Sequence, residues 1–142
     1  MSETREMRPR PRPTPTPLSQ AFWDATARGE FLIQRCRRCE TAIFYPRYNC
    51  TACGSAELDS APAAGTGSVY TFTIARRPTH PAFADRVPYV IAVVELDEGP
   101  HVTTNIVGCA PGNVRIGMPV EVTYEEPADG IALPLFRPAE GS

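Results

Sequence analysis

Proline takes every second position from Pro9 to Pro17, a pattern that permits neither a helix nor a central strand. The stretch RPRPRPTPTP, residues 8–17, is therefore predicted to be a semi-rigid polyproline-like arm. Ser19–Arg28 then predicts the one helix, with Ser19 as its cap and Gly29 as the residue that ends it. Phe22 and Trp23 lie on its apolar side. A helix this short needs packing to hold it. Those two rings can pack on the protein's own body, or Trp23, the only tryptophan, can anchor a partner.

Further along, the pattern turns to strands. Val69–Ala75 is β-rich, and Tyr89–Leu96 is nearly continuously apolar, as a strand buried on both faces would be. Asp97-Glu98-Gly99 predicts a hairpin turn and His101–Val107 the returning strand. Pro111-Gly112-Asn113 reads as a further turn. Val120, Val122 and Tyr124 alternate with Glu121, Thr123 and Glu125 in a fourth strand. Ile131–Arg137 is the fifth, with Pro134 suggesting an edge or a bulge. Five short strands in so small a span match the scale of an oligonucleotide/oligosaccharide-binding (OB) barrel. The expected organisation is an arm (1–17), a helix (18–30), a four-cysteine ribbon (31–56) and a barrel (57–142). A linker of small residues and turn formers, 54–65, joins the last two.

Charge is uneven. Residues 1–17 and 18–56 each carry net +2, whereas 57–142 carries −6. An acidic barrel argues against general binding of nucleic acid, which needs a basic footprint. All 14 basic residues are Arg, so Schiff-base chemistry on a lysine is excluded. No apolar run approaches the ~20 residues of a spanning helix, and the first residues lack the apolar core of a secretory signal. A cytoplasmic protein, away from membranes, is expected.

The chemistry concentrates in Cys36-Arg37-Arg38-Cys39 and Cys50-Thr51-Ala52-Cys53. A C-x-x-C turn aims two thiolates at one point, and two such turns complete a tetrahedral shell. Cys36, Cys39, Cys50 and Cys53 are thus the predicted ligands of a zinc ion, although rubredoxin-type iron accepts the same set. Four thiolates close the shell, so the site is read as structural. Gly54 permits a tight turn after the second pair. Arg35, Arg37, Arg38 and Arg47 are near enough in sequence to offset the negative charge. Cys109 stands alone. As a nucleophile it would need a base, for which His80 and His101 are the candidates; as a small buried apolar residue it needs none.

The order of these segments carries a resemblance. An A-F-W-D helix at Ala21–Asp24 leads to the four-cysteine ribbon, with Tyr45-Pro46-Arg47 before its second pair. Gly67–Thr73, Arg86–Pro100, Thr103–Cys109 and Arg115–Val122 follow. Together they resemble the DUF35 family. The resemblance implies a mostly β protein with an N-terminal helix, a rubredoxin-like zinc ribbon and a five-stranded OB-fold barrel. It also implies an accessory subunit of thiolase-like or lipid-transfer-protein-type enzymes, sometimes paired with a hot-dog-fold hydratase. Such a subunit helps bind acyl-CoA while the partner supplies the catalytic residues, so none is assigned here.

Coenzyme A carries phosphates that need fixed cations. Arg76, Arg77, His80 and Phe83, in the loop after the first barrel strand, are the candidate contacts: paired guanidiniums for phosphate and a ring for adenine or an acyl chain. The same loop can instead pair with the acidic barrel or touch a protein partner. Two other classes remain open. Ribbons and OB barrels also bind nucleic acid, with Tyr70, Phe72, Tyr89, Tyr124 and Phe136 as possible stacking rings. A stand-alone enzyme would need Cys109 and a base brought together.

Overall fold

The computed structural model describes residues 13–78, 81, 84, 86–128 and 131–139. Helix α1 spans Gln20–Ala27 and buries Phe22, Ala25 and Thr26. Gly29 ends it as expected, at φ 78°. Its N–H reaches the Thr26 carbonyl and the Glu30 N–H reaches the Ala25 carbonyl, the paired bonds of a Schellman ending. The predicted cap differs. The Ser19 side chain makes no bond to the helix; its Oγ accepts from the N–H and hydroxyl of Thr16 instead. The turn from the proline arm therefore holds Ser19 before the helix can use it. No helix among the described residues is long and apolar enough to cross a membrane.

The ribbon is a three-stranded antiparallel sheet. Strand β1 (Leu32–Cys36) lies between β2 (Ala42–Ile43) and β3 (Leu58–Pro62). Strand β3 falls inside the stretch expected to be a linker. It pairs with β1 from Leu32↔Pro62 to Cys36↔Leu58. Its small and turn-forming residues hide a strand whose stability comes from pairing and not from propensity.

Five strands close a barrel in the order β4-β5-β6-β8-β7. They are β4 (Thr66–Ala75), β5 (Tyr89–Leu96), β6 (His101–Ile106), β7 (Pro119–Ala128) and β8 (Ile131–Pro138). Between β6 and β7, Pro111–Asn113 forms a single 3₁₀ turn. Gly67 is where β4 presses closest to β5: a Cβ there would collide with the Glu95 carbonyl. A bulge follows at Tyr70, after which Phe72 and Ile74 continue the inward face.

Strand β5 departs from its prediction. Val90, Ala92, Val94 and Leu96 are buried, whereas Tyr89, Ile91 and Val93 are half-buried on the outer face. The alternation is that of a barrel strand with one side in the core. Pro134 does not lie on a free edge. It pairs with Tyr124 of β7, and on its other side β6 meets β8 at one parallel pair, Ile106↔Phe136. Proline has no N–H to extend that ladder.

One apolar core joins all three parts. Phe22 of α1 meets Phe31 at 5.6 Å and Phe44 at 5.4 Å between ring centroids. Phe31, at the entry to the ribbon, meets Phe136 of β8 at 6.2 Å. Phe136 is wholly buried, with Val69, Val90, Val94 and Val120 around it.

Candidate metal centre and neighbouring cavities

Cys36 ends β1 and the first turn carries Cys39 back beneath it; Cys50 and Cys53 face them from the second turn. The two turns are built alike. The Glu40 N–H bonds the Cys36 carbonyl at 2.9 Å, and the Gly54 N–H bonds the Cys50 carbonyl at 2.9 Å. Both donors have positive φ, 65° at Glu40 and 81° at Gly54. The Arg38 N–H points at Cys36 Sγ (3.4 Å) as the Ala52 N–H does at Cys50 Sγ (3.3 Å). The role of Gly54 was legible in the sequence. That of Glu40 was not, because its residue type hides a left-handed position that only the equivalence of the two turns reveals.

The four sulfurs lie within 4.8 Å of one another. Cys36 and Cys53 are 3.6 Å apart, and Cys39 and Cys50 3.5 Å. A tetrahedron with zinc–sulfur bonds of about 2.3 Å sets its sulfurs roughly 3.8 Å apart, so the cluster is close to the size zinc requires. The titration pattern agrees. The Thr41 hydroxyl at 3.0 Å, helped by the Thr41 N–H, pulls the Cys39 thiol down to about 6. The Cys39 N–H lowers Cys36 as well. At Cys53 the Ser55 N–H works downward, but burial and the three neighbouring thiols outweigh it and push it to about 11. Thiols this close cannot all ionise against one another; a dication at their centre allows it. Zinc held by Cys36, Cys39, Cys50 and Cys53 would tie the two turns together, and four thiolates would complete its shell.

The expected arginine compensation takes another form. Arg37 pairs with Asp59 at 3.1 Å, and the Arg35 guanidinium donates to the Glu40 carbonyl. Arg38 and Arg47 are exposed. Among the described residues, backbone N–H groups and the Thr41 hydroxyl approach the sulfurs.

Arg76 and Arg77 are exposed beyond the end of β4, and His80 and Phe83 lie outside the described residues. Neither arginine lines a cavity among those described. Cys109 is partly exposed, and His101, one of its two candidate bases, is separated from it by the length of β6. The His101 ring instead packs against Tyr70, tilted by 40° at 4.5 Å, with Glu95 3.3 Å from its Nε2. Phe22 packs on the protein's own body, while Trp23 remains half-buried, edge-on to Phe22 at 5.0 Å.

Two cavities that no sequence signal announced flank the meeting of β6 and β8. One, of about 510 Å³, has Arg86, Tyr89, Ile91, Val107 and Cys109 in its wall. The other, of about 540 Å³, is walled by Trp23, Phe44, Tyr45, Val102 and Pro134.

Two family models match consecutive parts of the chain. Residues 23–59 match the ChsH2 rubredoxin-like zinc ribbon domain and residues 60–125 the ChsH2 C-terminal OB-fold domain. The chain is 44% identical over 141 residues to a probable enoyl-CoA hydratase alpha subunit of Thermomonospora curvata, covering 97% of this chain and 44% of that protein. It therefore spans less than half the length of that relative. A DUF35 domain-containing scaffold protein of Methanocaldococcus jannaschii is 38% identical over 105 residues, which cover 68% of this chain and 72% of that one. The solved Ltp2-ChsH2(DUF35) aldolase superposes with a TM-score of 0.80 at 42% identity, covering 89% of this chain and 98% of that chain. With its ribbon, its barrel and its sequence all matched, the chain belongs to the DUF35 family.

Proposed function

We propose that this protein is a non-catalytic accessory subunit of an enzyme complex acting on acyl-CoA, with a thiolase-like or lipid-transfer-protein-type partner carrying the catalytic residues. The observation that carries the reading is the superposition on nearly the whole DUF35 chain of an aldolase assembled from two named components. The Thermomonospora relative, named a hydratase alpha subunit, supports a hot-dog-fold hydratase as a further partner. In this reading the closed four-cysteine site holds the ribbon rigid for docking. Arg76 and Arg77, with His80 and Phe83, contact the coenzyme A moiety.

The first test is a tagged pull-down from the native host with mass spectrometry. A stoichiometric thiolase-like or hydratase partner is expected; a chain that emerges alone, or with nucleic acid, overturns the reading. In the assembled complex, replacing both Arg76 and Arg77 by Ala should weaken acyl-CoA binding by about tenfold, through lost phosphate contacts. Unchanged affinity would remove the loop from the ligand site while leaving the partnership intact.

A further inference from the structure

The function proposed above gives no role to the proline arm. The described chain begins at Pro13, and Thr16, Leu18 and Ser19 stand in the wall of the cavity of about 540 Å³ beside β6. The arm therefore sets out from the rim of an apolar groove. Pro13 and Pro15 are half-buried, while Thr14 between them is exposed. At its base, then, the arm already turns its prolines toward the protein and its threonine toward water.

A row of touching rings lines that groove. Trp23 meets Phe22 at 5.0 Å, Phe22 meets Phe44 at 5.4 Å, and Phe44 meets Tyr45 at 4.4 Å between centroids. Tyr45 is 46% exposed and so has a ring surface left to cover. Aromatic-lined grooves suit proline-rich chains, which arrive already extended and lose little entropy on docking. The polar groups nearby are committed within the protein. The Thr103 N–H bonds the Tyr45 hydroxyl at 3.3 Å, and the Thr104 hydroxyl bonds the Pro134 carbonyl at 3.2 Å. An ordinary peptide would bring a backbone N–H at every residue to walls with few free acceptors. Pro9 and Pro11 bring none.

Reach and charge agree with a segment of this same chain as the occupant. In polyproline form the arm spans about 25 Å from Arg8 to Thr16, at ~3.1 Å per residue. The groove follows β6 from Val102 to Asn105, roughly 10 Å at about 3.3 Å per residue. Residues 1–17 carry net +2 and residues 57–142 carry −6, so the barrel attracts the arm. A segment tethered at the rim also meets its own groove at a far higher effective concentration than it meets another chain. We propose that the arm folds back within one chain as a strap, setting Pro9 and Pro11 against Trp23 and Tyr45 and covering the apolar face between α1 and β6. No partner enzyme is needed for the strap to close.

Trp23 lines the groove and is the only tryptophan, so its emission reports the strap directly. Acrylamide quenching of the full chain is compared with that of a full-length Pro9→Gly/Pro11→Gly variant. The variant should show red-shifted emission and a higher quenching constant, while Tyr48→Ala, exposed on the ribbon, should leave both unchanged. NMR on the unmutated chain gives a second readout that needs no variant. With the prolines isotopically labelled, NOEs should join the Pro9 and Pro11 ring protons to the Trp23 indole, and mixing labelled with unlabelled copies separates contacts within a chain from contacts between chains. Equal quenching or absent NOEs would leave the groove to a partner protein, and NOEs only between copies would make it a contact of two chains; each of these overturns the strap.

Discussion

Glu40 occupies, in the first cysteine turn, the left-handed position that Gly54 occupies in the second. A side chain there crowds the following carbonyl, at a cost of roughly 1–2 kcal/mol that glycine avoids. Glycine loses more chain entropy on folding, so part of that gain is returned. Glu40→Gly is expected to raise the stability of the zinc-loaded protein by about 0.5–1 kcal/mol, read from urea denaturation at fixed zinc. A lower midpoint would show that the glutamate side chain contributes a contact worth more than the backbone relief. Residue type alone concealed this position, whereas Gly29 and Gly54 announced theirs.

At the scale of elements, the ribbon depends on its metal. Cys36, Ile43 and Cys50 form a small core with Leu58 packed against it, apart from the barrel core. So small an apolar cluster leaves much of the folding energy to the ion. Cys39→Ser should remove about one equivalent of zinc and unfold the ribbon; metal analysis with circular dichroism and proteolysis measures both, and an intact fold would contradict it. Acid should act on the same bonds. The thiolate of Cys39 is held down to about 6 by Thr41. At Cys53 the neighbouring thiols push the other way, so protons and the metal compete for the shell as a whole. Zinc should therefore be retained at neutral pH and lost as acid protonates the thiolates, followed with a chromogenic chelator.

For the whole molecule, Phe31 is the joint. It is 2% exposed, stacks on Phe44 at 5.3 Å and touches both Phe22 and Phe136. Phe31→Ala should cost about 3–5 kcal/mol, as burial and packing are lost together. Zinc content should stay unchanged, because the cysteine core is a separate cluster. Loss of zinc with the stability would mean that the ribbon cannot hold its shape without the barrel.

Local patterns decided much of this in advance. The two C-x-x-C pairs named the four cysteines that the fold brings together, because residue type and spacing are written in consecutive residues. Alternation and turn residues placed the barrel strands to within a few positions. The order of short segments carried the family. Tertiary structure decided what depends on neighbours distant in sequence. Strand β3 exists only because β1 lies beside it. The outer face of β5 is half-open only because the sheet closes into a barrel. The two cavities beside the contact of β6 and β8 arise from elements far apart in the chain. Pro134 is visible in the sequence of β8, but only long-range packing sets it against β6.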